Sequence, residues 1–375
     1  MANIILNSKY QVVYNNMLDS AYPNIHALYF PFLINNKYQQ NLYGLALTGS
    51  ASFLCENYMT NIALNMQQFP SLYYVNNLYS AFANMSNLTG TPVCGPKVIS
   101  MTNAYYNCRN LTGSPVCGSN VTSMYCTYSL CANLTGSPVC GKRVTNMAHA
   151  YDGCHNLTGS PACGKNVTNM FCAYAACSHL TGSPVCENKV INMTEAYESC
   201  SRLSGSPVCG PNVTSMYLTY AYCWNLTGSP ACGNNVTNMA YAYCTCSKLT
   251  GAPVCGPNVT DMAHSYYRCS NLTSNPVFGP NVSNIQNAYY NCINLTGDCY
   301  LNYNLGTVVN FTGCFYNCKK LITLYVKDYD TFSLIRGATD SSSIIGQALT
   351  WTDQGSNTLR ITSPSDYNFF LKYLP

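Results

Sequence analysis

The sequence predicts an α/β solenoid, a stack of 23-residue repeats in which each repeat contributes a short strand and a short helix, with non-repeating caps. A motif such as NLTGSPVCGKRVTNMAHAYDGCH recurs every 23 residues, without insertion, between Leu88 and Leu295 of the 375-residue chain. Apolar residues within each repeat keep helical spacing, and the rest of the repeat is too short for a second helix. Such strictness is typical of identical elements that bury their apolar faces against one another.

The helix is predicted from apolar residues that recur at fixed places in every repeat. In one repeat Val98, Met101, Tyr105, Cys108 and Leu111 stand at i, i+3, i+7, i+10 and i+13, which is one stripe of a helix. Residues at the same place in successive repeats form a column, named after one of its members or its residue type. We predict that the columns of these five residues stack on one another in the core, as core ladders. Their representative members are Leu111, Leu134, Leu157, Val121, Val144, Met124, Met147, Tyr128, Tyr151, Cys108, Cys131, Cys154, Cys177, Cys200 and Cys223.

The strand is predicted at the segment Ser-Pro-Val-Cys, residues 114–117 in one repeat. Gly113 and Gly118 bound this segment, and glycine marks the turns at both ends. Because proline has no N–H to donate, Pro115 is expected at the first residue of the strand.

The repeats also predict the domain organisation. Regular repeats span 87–298, and degenerate repeats extend the predicted solenoid to 51–326. After Leu295 the step lengthens by three residues, and Phe315 and Cys318 take the column positions. Residues 1–50 and 327–375 carry no period, so we predict that they form an N-terminal and a C-terminal cap or attachment segment.

The repeat string resembles a known family. Val-Thr-Asn-Met, then an aromatic residue, then Cys and Leu at fixed spacing, seen from Val236 to Leu249, is similar to the BspA-like leucine-rich repeats of bacterial, protist and viral surface proteins. The resemblance covers roughly residues 65–325 and departs from the family in the strand, where Leu-Thr-Gly-Ser-Pro-Val-Cys stands. It implies a leucine-rich-repeat-like solenoid that acts in adhesion or binding at a surface, without catalytic residues.

Composition argues against several classes of function. Only 8% of residues are charged and the net charge is +4, whereas a nucleic-acid-binding protein needs a basic stripe. No apolar run is long enough to predict a transmembrane helix. No nucleophile elbow, phosphate-binding loop or recurring carboxylate pair is present, so we predict no enzyme activity and no cofactor. The cysteine spacings lack the pairs typical of zinc sites, so no metal is predicted.

Two cysteine columns have different expected roles. The column of Cys108 is predicted to pack in the core as a small apolar residue. The column of Cys94 stays open between free surface thiols and disulfides that join neighbouring repeats. Val93 and Cys94 are adjacent and would point to opposite faces of an extended segment, and same-column cysteines would lie within bridging distance.

Positions after the methionine vary among repeats and supply the candidate ligand-facing residues. An aromatic residue on every second repeat is expected to pack against its neighbours or against another subunit, and the alternative is a glycan-binding face. The asparagines of Asn-Leu-Thr and Asn-Val-Thr match the glycosylation sequon, but we predict asparagine ladders between repeats instead. The candidate ligand-facing residues are Tyr125, Phe171, Tyr217, His149, Glu195, Tyr241 and His264.

Localisation decides between the two functions that remain. The start, MANIILNSKYQVVYNNMLDS, has one lysine and no long apolar region, so no secretory signal is predicted. We therefore expect a virion protein, made in the host cytoplasm, that serves as a phage decoration, fibre or tail component. It would dock on other virion proteins, form a homo-oligomer and contact the host surface. The alternative is an extracellular bacterial adhesin that binds a host glycan or protein.

Overall fold

The computed structural model describes residues 76–301, 312–318 and 320–326, together with the short strands named below. Most of both predicted caps, residues 1–50 and 327–375, lies outside the described residues. The chain divides into two compact units, Met1–Val167 (the first unit) and Thr168–Pro375 (the second unit). Each unit is described by itself.

The strands of the first unit pair two by two. β1 pairs with β2, β3 with β6 and β4 with β5, all antiparallel, whereas β7 and β8 are parallel with Leu64 opposite Leu88. Their bounds are β1 Asn3–Leu6, β2 Val12–Asn15, β3 Ile25–Ala27, β4 Pro31–Ile34, β5 Tyr38–Asn41, β6 Leu45–Leu47, β7 Leu64–Asn65 and β8 Leu88–Thr89.

The second unit contains one four-stranded sheet with the order β12-β11-β10-β9. Its strands β9, β10 and β11 are parallel, with Leu324 opposite both Cys299 and Leu349, and β12 is antiparallel to β11. The bounds are β9 Gly297–Leu301, β10 Leu321–Val326, β11 Ala348–Thr352 and β12 Thr358–Ile361.

The predicted α/β solenoid of strand-plus-helix repeats is wrong. No helix occurs among the described residues, and between residues 76 and 296 the one named strand is β8, of two residues. The leucine-rich-repeat-like architecture implied by the sequence resemblance is wrong for the same reason. Turns, joined to neighbouring repeats by hydrogen bonds, take the place of both predicted elements.

A turn segment replaces the predicted helix. It runs over residues 101–108 in one repeat and over the equivalent residues of the others. The N–H of Ala104 donates to the carbonyl of Met101, three residues earlier, at 2.9 Å, whereas an α-helix would bond to the fourth residue back. Asn103 and Asn107 have φ values of 54° and 59°, which lie in the left-handed region and end any right-handed helix.

Alternate N–H groups of the turn segment bond to the following repeat. In the first unit Asn103 donates to the carbonyl of Tyr125 at 2.8 Å, and Tyr105 donates to that of Thr127 at 2.9 Å. Isolated parallel bridges such as that between Ser123 and Asn146 continue the same pairing. The backbone hydrogen bonds of the turn segment therefore stack the repeats instead of closing a helix, which meets the requirement that buried backbone groups be paired.

The helix prediction failed because the turn segment has the same apolar period as a helix. Met124, Thr127, Tyr128 and Cys131 are buried, and they stand at i, i+3, i+4 and i+7, as on one face of a helix. In the turn segment this period arises because a left-handed residue recurs every four positions. Apolar spacing therefore cannot distinguish the two structures.

The residues predicted to form the core ladders are all buried in their respective units. The tyrosine rings are nearly parallel and stack along each unit, with centroid distances of 5.4 Å for Tyr105 and Tyr128 and 5.5 Å for Tyr197 and Tyr220. Relative exposure is 0% for Leu111, Leu134, Leu157, Val121, Val144, Met124, Met147, Tyr128, Tyr151, Cys108, Cys131, Cys154, Cys177, Cys200 and Cys223.

The Ser-Pro-Val-Cys segment is not a strand. Its backbone forms hydrogen bonds with the hydroxyl groups of the tyrosine column instead. The hydroxyl of Tyr128 donates to the carbonyl of Val116 at 2.7 Å and accepts from the N–H of the same valine at 3.1 Å. In the second unit Tyr220 makes the same pair of bonds to Val208, at 2.7 and 3.2 Å. Because a side chain satisfies this backbone, the segment needs no strand partner.

Replacing Gly228 by alanine is expected to destabilise the second unit. Gly228 has a φ of 79°, and a left-handed alanine costs about 1–2 kcal/mol. An added Cβ would also lie 3.1 Å from the Cβ and 3.4 Å from the Cα of Ser206 in the preceding repeat, and such overpacking typically costs about 1–3 kcal/mol. Urea denaturation of the full chain measures the combined loss.

The double variant Gly228→Ala with Ser206→Gly separates these two causes. It removes the close contact but keeps the left-handed alanine, so it should recover part of the lost free energy of unfolding. Equal stability of the native chain and Gly228→Ala would contradict the packing described here.

Candidate functional site

The side chains that point away from the core of the turn segment form the candidate site. One outward position, two residues after the methionine column, holds Asn103, Cys126, His149, Glu195 and Tyr241 in different repeats. All of these have positive φ, from 49° to 57°, so the same backbone accepts very different side chains. Packing of the repeats therefore does not determine which residue stands there.

In the first unit, two predicted ligand-facing residues are neighbours. Tyr125 is 40% exposed, and its ring meets that of His149 edge to face at a centroid distance of 6.2 Å. The Nδ1 of His149 lies 3.0 Å from the Oδ2 of Asp152. This arrangement orients the imidazole beside the exposed phenol.

In the second unit, Phe171 is half-buried, and the next predicted residue, Glu195, contacts a thiol. The Sγ of Cys172 donates to the Oε2 of Glu195 at 3.1 Å. Cys172 is buried, and Glu195 is half-buried. The carboxylate of Glu195 is thus engaged within the protein rather than directed only to solvent.

Tyr217, Tyr241 and His264 come together in the second unit. Tyr217 meets Tyr241 edge to face at 6.2 Å, and Tyr241 is parallel to His264 at 4.4 Å. The amide Nδ2 of Asn287 lies 3.0 Å from the Nε2 of His264. Burial lowers the pKa of His264 and outweighs the nearby Asp261, which raises it, so the imidazole is neutral at neutral pH.

Sequence reasoning missed three tyrosines that extend this group. His264 contacts Tyr267 at 5.6 Å, Tyr267 is stacked on Tyr290 at 4.9 Å, and Tyr290 on Tyr316 at 4.5 Å. The guanidinium carbon of Arg268 lies 5.2 Å from the ring centroid of Tyr267. We name the group Tyr217, Tyr241, His264, Tyr267, Tyr290 and Tyr316 the aromatic strip.

The strip differs from the predicted row of aromatics on every second repeat. Tyr125 belongs to the first unit, whereas Phe171 and Tyr217 belong to the second. From Tyr217 onward, rings instead occur in successive repeats, at positions one, two and five residues after the methionine column. Tyrosines at 267 and 290, one repeat apart, were the signal in the sequence that could have revealed the strip.

The Cys108 column consists of buried thiols that act as hydrogen-bond donors. The Sγ of Cys131 donates to the carbonyl of Tyr105 at 3.0 Å, and Cys223 donates to that of Tyr197 at the same distance. Burial raises the pKa of Cys131 to about 12. These thiols are therefore protonated at neutral pH and join each repeat to the one before it.

The Cys94 column, for which the sequence leaves two alternatives, forms no disulfide in the structure. Among the cysteines from Cys94 to Cys318 whose side chains are described, none is joined to another by a disulfide. Members of this column are half-buried, and burial raises the pKa of Cys117 to about 11 and that of Cys140 to about 12. A thiol with a raised pKa is a poor nucleophile at neutral pH.

Asparagine side chains bond between repeats, mostly to backbone carbonyls. The Nδ2 of Asn120 donates to the carbonyl of Pro96 at 2.9 Å, and Asn258 donates to that of Asn234 at 2.9 Å. A direct contact between two Asn-Leu-Thr amides is longer, with the Nδ2 of Asn133 at 3.5 Å from the Oδ1 of Asn110. The nitrogen that glycosylation would modify is thus used to join repeats.

Within the described part of the chain, no group of three His, Cys, Asp or Glu side chains is arranged to hold a metal ion. Among the same residues, no helix has the length and apolar character needed to cross a membrane. No family model, curated protein or solved structure matches the chain.

Proposed function

We propose that this chain is a non-enzymatic structural protein that presents a repeating surface as a decoration, fibre or tail component of a virus particle. In this role it docks on other virion proteins, forms a homo-oligomer and contacts the host surface. The observation that carries the proposal is the column of buried thiol donors within the stacked repeats.

The reduced state that these thiols require bears on the compartment in which the protein assembles. Cys131 and Cys154 lie 3.0 and 2.9 Å from tyrosine carbonyls of the preceding repeat, and only a reduced S–H group donates such a bond. Oxidising compartments favour disulfides, whereas the cytosol keeps thiols reduced. A protein with this core therefore suits assembly in the host cytoplasm, where virion proteins are made.

The aromatic strip favours a second candidate, an adhesin at the bacterial cell surface that binds a host glycan or protein. Tyrosine combines an apolar ring with a hydroxyl group and is enriched at binding surfaces. The two candidates differ in the redox state expected of the cysteines. Export would expose more than twenty cysteines to oxidation, whereas cytoplasmic assembly would keep them as thiols.

Thiol counting on protein from its natural source tests the proposal. The protein is denatured without reductant in the presence of an alkylating agent, and its intact mass is measured. We expect one alkyl group on nearly every cysteine, because the buried S–H donors require the reduced state.

A parallel sample reduced before alkylation gives the mass of the fully alkylated chain and serves as the control. A mass showing most cysteines locked in disulfides would overturn the virion proposal and place the adhesin first.

A further inference from the structure

The aromatic strip carries rings that the stacking of the repeats does not demand. At the position of Tyr267 and Tyr290, other repeats have Tyr106, Ser129, Asp152 or Ala175 on the same turn backbone, and the small side chains Ser129 and Ala175 are buried there. Elsewhere the chain repeats its residues closely because they are buried or bonded between repeats. The repeat therefore accepts a ring at this position without requiring one, and the partly exposed rings of Tyr267 and Tyr290 are available for contact with a ligand.

The strip presents ring edges and hydroxyl groups rather than open ring faces. Tyr267, Tyr290 and Tyr316 are stacked face to face at 4.9 and 4.5 Å, and their planes differ by 17° and 13°. All three side chains are partly exposed. Because neighbouring rings cover one another's faces, the accessible groups are apolar edges and phenolic hydroxyls that recur once per repeat.

A protein strand would find no free backbone edge along this part of the turn segment. The N–H of Tyr266 donates to the carbonyl of Ala288 at 2.8 Å, and the N–H of Arg268 donates to that of Tyr290 at 2.7 Å. Strand addition requires unpaired main-chain groups, and here the repeats already use them. The surface offers side chains only.

A linear glycan fits this set of groups. Its hydroxyls exchange hydrogen bonds with phenols, its C–H groups contact ring edges, and its sugars recur at a spacing similar to the separation of stacked chains, about 4.8 Å. A nucleic acid would instead need a row of cations. The strip itself has no formally charged member at neutral pH, and the adjacent cation is Arg268, over the ring of Tyr267.

We propose that the aromatic strip binds a linear, carboxylate-bearing glycan that runs along the repeats of the second unit, with the guanidinium of Arg268 pairing with a sugar carboxylate. Arginine binds carboxylates with two parallel hydrogen bonds, which gives both affinity and orientation. The proposal rests on the proposed function only in that the chain presents a surface for contact, and it holds for either candidate.

Calorimetric titration of the full chain with two matched probes tests the proposal. One probe is a β-1,4-linked oligomannuronate, and the other is the neutral β-1,4-linked oligomannoside of equal length, which lacks the carboxylates. We expect the acidic probe to bind at least tenfold more tightly. Arg268→Gln should abolish this difference, and the triple variant Tyr241→Ser, Tyr267→Ser, Tyr290→Ser should weaken binding of both probes at least tenfold.

Matched controls lie in the first unit. Tyr106→Ser changes a tyrosine at the same repeat position as Tyr267, and Arg143→Gln removes an exposed arginine; neither should alter binding. The thermal midpoint of each variant shows whether it folds. If the triple variant unfolds, Arg268→Gln with the two probes remains decisive.

Three results would overturn the inference: no binding of the acidic probe, equal binding of both probes, or binding unchanged by Arg268→Gln. Self-association of the chain that is lost in the triple variant, without glycan binding, would assign the strip to a subunit contact instead. Each of these outcomes leaves the thiol measurement, and hence the proposed function, untouched.

Discussion

Tyr220→Phe is expected to destabilise the second unit strongly although it removes a single oxygen atom. The hydroxyl of Tyr220 is both the acceptor for the N–H of Val208 at 3.2 Å and the donor to its carbonyl at 2.7 Å. A polar group left without a partner costs about 1–3 kcal/mol when it is fully buried, and the substitution leaves two such groups on Val208, which is half-buried. Urea denaturation should show this loss.

Amide hydrogen exchange gives a local measure of the same substitution. The N–H of Val208 should exchange much faster in Tyr220→Phe, because its bond is to the phenol rather than to another strand. Tyr217→Phe, which removes a hydroxyl from a half-exposed ring on the aromatic strip, is the matched control and should change neither quantity appreciably. Unchanged stability and exchange in Tyr220→Phe would contradict the role assigned to the tyrosine column.

Alkaline pH above 9 is expected to unfold the protein cooperatively. Burial raises the pKa of Cys94 from its ordinary value of 9.0 to about 12 and that of Cys117 to about 11. It also raises the pKa of buried tyrosines such as Tyr220. The folded chain therefore keeps protons that the unfolded chain releases.

The sign of the effect follows from linkage. Below pH 9 the thiols are protonated in both states, so their contribution to stability is fully present. Between pH 9 and about 12 the unfolded chain binds fewer protons, and stability falls by about 1.4 kcal/mol per pH unit for each fully buried thiol. Because such thiols recur in successive repeats, the losses add up, and circular dichroism should show a transition within about two pH units above 9.

Cys117→Ala provides the control for this titration, because it removes one half-buried thiol from the first unit. The number of protons released on unfolding, read from the pH dependence of the free energy of unfolding, should fall by about one. Stability that stays constant to pH 11 would show that the thiols titrate as they do in solution, against the burial described here.

Much of the core was predictable because burial follows directly from residue type and period. Leu134, Met147, Tyr151 and Cys154 recur every 23 residues, and stacked repeats must bury what recurs. All four side chains are buried. Which atoms they bond to was not predictable, since the phenol of Tyr151 reaches the backbone of Val139, twelve residues earlier.

Part of the candidate site was also predictable. Variation after the methionine column identified Tyr217, Tyr241 and His264 as outward residues, and the structure places them in contact. Tyr267 and Tyr290 were missed because they stand three residues further along each repeat, and only the stacking of turns brings that position beside His264.

The sequence by itself determined the 23-residue step, the residues of the core and the outward positions, because period and polarity state them directly. Only the tertiary structure decided between helix and turn. Spacing of i, i+3, i+4 and i+7 is common to both, and the choice depends on whether the N–H of a residue such as Asn103 bonds within its repeat or to the next one. Here it bonds to Tyr125 of the next repeat, a partner 22 residues away that no local pattern records.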